Sequence, residues 1–150
     1  MTTAKYSAPF QDVRVGSIHE VADVLFVYGA YVAPHTGQDA AWHSRSCDVL
    51  VAVTMKVLHD ALPQNGRPSL HDVACVLRTP DPSVLQSMLE HPNPAVVAVA
   101  RYTIQLPPNG KSRVFGTALN IVSAMDTAAR KKRREQNIVE KAKHLRLVKP

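Results

Sequence analysis

From His43 to Leu62 the chain is apolar around most of a helical circumference. Cys47, Leu50, Val51, Thr54, Leu58 and Ala61 recur at three- and four-residue steps and define one face. Val49, Val53 and Val57 widen it. Such a helix needs partners on several sides. The segment therefore predicts a buried central helix, with the shorter segments around it, as far as Met125, as neighbours.

Those neighbours are marked by their ends. Residues 1–16 lack a helical period and contain Pro9 and Gly16, which suggests an extended lead. Ser17 and Glu20 have the spacing of a capping box, predicting a helix over 18–32 with a stripe of Val21, Leu25 and Tyr28 flanked by Val24 and Tyr31. Gly29 weakens its last turn and Pro34 stops it. Thr36 to Asp39 offers a second cap, leading into the central helix.

Pro63 to Pro68 is a turn by composition. Ser69 and Asp72 form another capping pattern, with Val73, Val76 and Leu77 facing inward behind it. Asp81-Pro82 and Asn93-Pro94 repeat one device, a capping side chain followed by proline in the first turn. Val84, Leu85, Met88 and Leu89 serve the first of these helices; Val96, Val97, Ala100 and Ile104 serve the second, with Tyr102 beside them. A last helix is expected from Lys111 or Ser112, with Val114, Phe115, Ala118, Leu119, Val122 and Met125 spaced for burial. No stretch alternates as a half-buried strand does. The expectation is an all-α fold, a compact bundle of about six helices around the central one.

The chain has 150 residues, 45% of them hydrophobic, enough for one domain with a core. No apolar run is long enough to span a bilayer, and the first residues lack the apolar core of a signal peptide. Two cysteines do not make a disulfide framework, so a reducing compartment is expected. The net charge of +6 is unevenly spread. Residues 1–127 carry nine Lys/Arg and ten Asp/Glu, whereas residues 128–150 carry nine and two. The basic character belongs to the tail. Three segments follow: the lead 1–16, an all-α domain 17–127 and a basic tail 128–150, either helical or disordered.

Several constellations resemble chemistry without completing it. Gly110-Lys111-Ser112 ends like a phosphate-binding loop, but position 105 is Gln where the motif needs Gly, and two prolines remove backbone donors. His43 with Cys47, and His71 with Cys75, have a four-residue helical spacing that could meet around zinc. Such spacings also arise by coincidence, and Cys75 reads better as a small hydrophobe near its helix stripe. His59 and Asp60 fit a solvated last turn. No catalytic group, metal or cofactor is expected. The clearest feature is the cationic block Arg130, Lys131, Lys132, Arg133 and Arg134, with Ile138, Ala142 and Leu145 following at helical spacing. It could hold nucleic-acid phosphates or an anionic membrane surface, or be a solvated end. The tail has no aromatic residue for stacking on single-stranded bases.

The order of motifs resembles the all-α domain of type IV secretion coupling proteins, the TraG/TraD-type ATPases of conjugation and effector secretion. Pro9-Phe10, Val13 to Gly16, Glu20 to Asp23, Ala33 to His35 and Trp42-His43 carry the likeness at the start. Leu58-His59, Ser69 to Ala74, Asp81-Pro82, His91 to Ala100 and Ser112 to Leu119 continue it. It covers roughly residues 6–126; each motif is short, and their order is what is specific. The resemblance implies a non-enzymatic, cytoplasmic recognition module that docks secreted effectors or relaxosome proteins in a groove between helices. The motor's phosphate-binding loop, acidic metal-binding strand and membrane anchor are absent from these residues, so ATPase activity does not carry over. After Asp126 the sequence departs from the family. The alternative is a DNA-binding protein acting through the tail.

Overall fold

Every residue from Val49 to Met55 is buried, so the helix that carries them has packed neighbours on all sides. The computed structural model describes residues 9–79 and 81–148. Within them lie six α-helices and no strand: α1 (Glu20–Tyr28), α2 (Ala40–Ala61), α3 (Leu70–Arg78), α4 (Pro82–Met88), α5 (Pro94–Ile104) and α6 (Pro108–Val148). The expected all-α bundle around a central helix is thus the observed one. That helix is α2, 22 residues long, which packs against α1, α3, α5 and α6. The first half of α6 also packs along α3, and its Val114, Phe115, Ala118 and Val122 are buried.

The capping patterns of the second half of the chain fold as written. Ser69 Oγ accepts from the Asp72 amide while Asp72 Oδ2 accepts from the Ser69 amide at 2.7 Å. Asp81 accepts from the Ser83 amide and Asn93 from the Ala95 amide, each 2.9 Å, with Pro82 and Pro94 in the first turn. In both cases proline occupies a position whose N–H would have no helical partner.

The first half differs in four places. The α-helix starts at Glu20, not Ile18, and ends at Tyr28, where Gly29 takes φ +54° and the chain tightens into a 3-10 turn over Gly29–Val32. The expected box between Ser17 and Glu20 does not form. Ser17 Oγ accepts from the His19 amide at 3.1 Å, and Glu20 Oε2 from the Gly16 amide at 3.3 Å, one residue off the box. The stripe is also rotated. Val24 and Tyr28 are buried, while Leu25 is 41% exposed and Tyr31 lies outside. Both registers keep apolar residues three and four apart, so spacing does not choose between them. Third, Asp39 stands at the start of α2 without capping it, because its carboxylate takes the Arg113 guanidinium at 2.6 Å.

Fourth, the lead is not simply extended. From residue 9 it runs in turns that place Phe10 in the core, edge-on to Tyr28 with ring centroids 6.2 Å apart. Arg14 clamps it to α1 through a two-pronged pair with Asp23, 2.9 and 2.8 Å. The pair, with the Arg14 amide on the same carboxylate, holds the Asp23 pKa down to about 2. The part of the lead before residue 9 lies outside the described residues.

The last helix starts at Pro108, earlier than expected, and continues unbroken across residue 127 into the basic segment. From Arg130 to Leu147 every side chain is exposed. No helix among the described residues is long and apolar enough to cross a membrane.

Leu58 closes the lower end of the α2 core and is buried. Replacing it by Ala removes a buried side chain and leaves a cavity. Leu58→Ala is expected to lose about 2–5 kcal/mol of unfolding free energy, read as a lower urea midpoint at unchanged slope.

Candidate functional site

An apolar slot opens where α1, α2 and α5 meet. The outward turn of Leu25, left by the rotated stripe, forms one lip with Val21. Val51 and Met55 of α2 form the floor, and Val96 and Val99 of α5 the opposite wall. Its volume, about 110 Å³, suits one aliphatic or aromatic side chain. Asp48 stands on its edge, and partial desolvation raises that carboxyl's pKa.

A second, larger recess of about 500 Å³ lies at the start of α1, the end of α2 and the entry to α5. Its wall holds two polar groups whose burial the sequence does not signal. Glu20 is 2% exposed; one carboxylate oxygen accepts from Gly16, and Oε1 has no partner. His91 is 9% exposed; its Nδ1 accepts from the Asn93 amide at 3.0 Å, which puts the proton of the neutral ring on Nε2. That Nε2 makes no hydrogen bond of good geometry, although the Met55 backbone lies close enough to favour the charged ring. The His59 ring lies 4.9 Å away, tilted 58°.

Burial pushes the His91 pKa down and the nearby His59 adds to this, while Glu20, the Met55 backbone and Asp60 favour the charged ring. Protonation would also put a second hydrogen where Asn93 already donates. His91 is therefore held neutral, as an acceptor that fixes the cap of α5. In the sequence Glu20 reads as a capping residue and His59 as part of a solvated turn. Their meeting depends on tertiary packing alone. The His91-Pro92-Asn93 spacing carried the only local signal, a ring two residues before a cap.

Elsewhere the suspected sites resolve differently. His43 and Cys47 face each other, Sγ to Nε2 3.4 Å, and are buried; His43 Nε2 also lies 2.9 Å from the Ala33 carbonyl oxygen and stacks on His35. Burial, with Asp48 beside it, pushes the Cys47 thiol up to about 11, which keeps it protonated at neutral pH. His71 and Cys75 share the same 3.4 Å geometry on the outer face of α3. Cys75 is exposed, contrary to its reading as a small hydrophobe, because Leu70, Val73, Ala74 and Leu77 form the inward face. Among the described residues no group of three or more His, Cys, Asp or Glu side chains is placed to hold a metal ion. Gly110-Lys111-Ser112 lies inside the first turns of α6, with Gly110 against Trp42, where a methyl group would stand 3.3 Å from the indole. Arg113 and Arg45 cover the same indole.

Arg130, Lys131, Lys132, Arg133 and Arg134 all lie on the projecting part of α6 and line none of these recesses. Arg130 reaches back to Asp126 at 3.1 Å.

The buried neutral histidine has a pH signature. Its folded pKa is below the unfolded value of 6.5, so the unfolded chain takes up the proton first as pH falls. Its contribution destabilises the fold progressively below about pH 6.5 and vanishes above it. Urea unfolding at pH 7.5 and 5.5 is expected to show this loss, and His91→Asn, which keeps an acceptor for the Asn93 amide, to reduce it. An equal loss in the variant would assign the pH dependence to other groups. Comparison of the chain with family models, with curated proteins and with solved structures gives no match.

Proposed function

We propose that this protein is a non-enzymatic, cytoplasmic recognition domain of the type IV secretion coupling kind, docking an effector or relaxosome protein in the slot between α1, α2 and α5. The observation that carries this reading is the slot itself. It joins apolar walls from three helices to a half-exposed Leu25 and a carboxylate at the edge. Protein interfaces concentrate their energy in such places, where one large side chain is fully desolvated and a polar rim fixes its approach. A partner segment with an aliphatic or aromatic anchor beside a basic residue fits: the anchor fills the slot and the cation meets Asp48. The order of motifs across residues 6–126 supports the coupling-protein assignment in particular.

Isothermal titration calorimetry with a purified relaxase and a purified secreted effector tests the reading. Binding to at least one of them is expected. Leu25→Lys, at an exposed position and checked for an unchanged thermal melt, should weaken it at least tenfold, about 1.4 kcal/mol. Asp48→Asn should weaken it a few-fold, and removal of residues 130–150 should leave it unchanged. Binding that survives Leu25→Lys would exclude the slot; no binding to either substrate would reject the recognition role.

A further inference from the structure

The cations of α6 point in all directions. Residues 130–134 follow one another at steps of about 100°, so the five side chains ring the helix. Arg130 and Arg134 lie on one side, Lys132 lies nearly opposite, and Lys131 and Arg133 lie between. All five are exposed, and the only acids from Arg130 to Leu147 are Glu135 and Glu140. A flat anionic surface, such as a lipid bilayer, can meet only the half of this ring that faces it. Membrane-surface helices accordingly segregate their charge to one face. A groove walled by phosphates on both sides can meet the whole ring.

The dimensions agree with such a groove. A helix with its side chains is about 10–12 Å across, and the major groove of B-form DNA is about 12 Å wide. Residues 130–147 extend about 27 Å, the length of roughly eight base pairs. The major groove of an RNA duplex is too deep and narrow to admit it. Single strands offer bases for stacking, and this segment has no aromatic side chain to receive them. Beyond the ring Ile138 and Leu145 share one side, while Val139 and Leu147, also exposed, lie on others.

We infer that the projecting half of α6 is a duplex-DNA-binding helix that enters the major groove with the cations of residues 130–134 contacting phosphates on both walls. The inference is independent of the docking reading, which concerns α1, α2 and α5. It rests on the segment that lies outside the coupling-protein resemblance.

Fluorescence anisotropy of the full chain with a labelled 20-base-pair DNA duplex tests it, with duplex RNA, single-stranded DNA and phosphatidylserine vesicles as competitors. Duplex DNA is expected to bind with an apparent affinity that falls with salt at a log–log slope of about −4, near −0.9 per phosphate contacted. Lys132→Gln and Arg134→Gln, on opposite sides of the helix, should each weaken binding roughly fivefold to tenfold at 0.1 M salt and reduce the slope by about one. Circular dichroism should be unchanged in both, since neither side chain packs against the fold. A loss confined to one of the two variants would mean a one-sided contact and overturn the groove geometry. So would single strands, duplex RNA or vesicles competing as well as duplex DNA. No binding at 50 mM salt would overturn the inference altogether.

Discussion

Enclosure of α2 on every side is the constraint from which the rest of the structure follows. A run of seven buried residues leaves no face on which to place polar atoms, so those that are present must be satisfied locally. Thr54 Oγ donates to the Leu50 carbonyl at 2.7 Å, and Ser46 Oγ to the Trp42 carbonyl at the same distance. These are bonds to the preceding turn, the one arrangement that lets a hydroxyl sit inside a helix without an outside partner. Because the Thr54 proton is committed to Leu50, the Tyr28 hydroxyl must donate to Thr54. Burial pushes the Tyr28 phenol far above its ordinary pKa, so it remains a donor. One hydrogen-bond relay thus sets the rotation of α1 against α2. That rotation turns Leu25 outward and creates the lip of the apolar slot.

The same enclosure explains why α3, α4 and α5 are short and stiffly joined. Each covers a limited stretch of α2 or of its neighbours, and each must start at a fixed place. Prolines and side-chain caps supply that precision by removing donors that would need partners and by filling the rest. The recess beside Glu20 is a by-product of this economy. His91 spends its one acceptor nitrogen on the Asn93 amide, and the end of α2 brings His59 against it. Among the described residues, Glu20 Oε1 and His91 Nε2 are buried there without a hydrogen bond of good geometry. There burial holds the His91 ring neutral.

How much of this was legible in the sequence follows from the range of each interaction. Caps at Ser69, Asp81 and Asn93 are decided within three residues, and the sequence states them fully. The buried character of α2 is a property of one continuous segment and is equally plain. The rotation of α1 is not, because 21-25-28 and 24-28 are both acceptable apolar ladders and the Tyr28–Thr54 bond that chooses between them spans 26 positions. Asp39 has the position of a cap, but Arg113, 74 residues away, takes its carboxylate. Phe10 reads as part of an extended lead until Tyr28 gives it something to pack on. For the tail, charge and helical spacing are local and plain in the sequence. Its helical continuity is not, because that comes from the packed half of α6.

That continuity gives the basic segment physical properties a loose tail would lack. An isolated helix of its length is marginal in water, since nucleation costs more than the first turns return. Here Val114, Phe115, Ala118 and Val122 already hold the preceding turns, so residues 130–147 extend an existing helix and need no nucleus. Their backbone positions are fixed by the helix, with Arg130 paired to Asp126, and they follow residues 1–127, whose charges nearly cancel at nine basic against ten acidic. Less conformational entropy is then lost when a polyanion binds than would be lost from a flexible chain. The rigid root also fixes the direction of α6 relative to the α1–α2–α5 slot. A partner held in the slot and a polyanion held on the helix would meet at a set distance. Were both to bind, the effective concentration of one for the other would follow the geometry of a single helix, not the statistics of a linker.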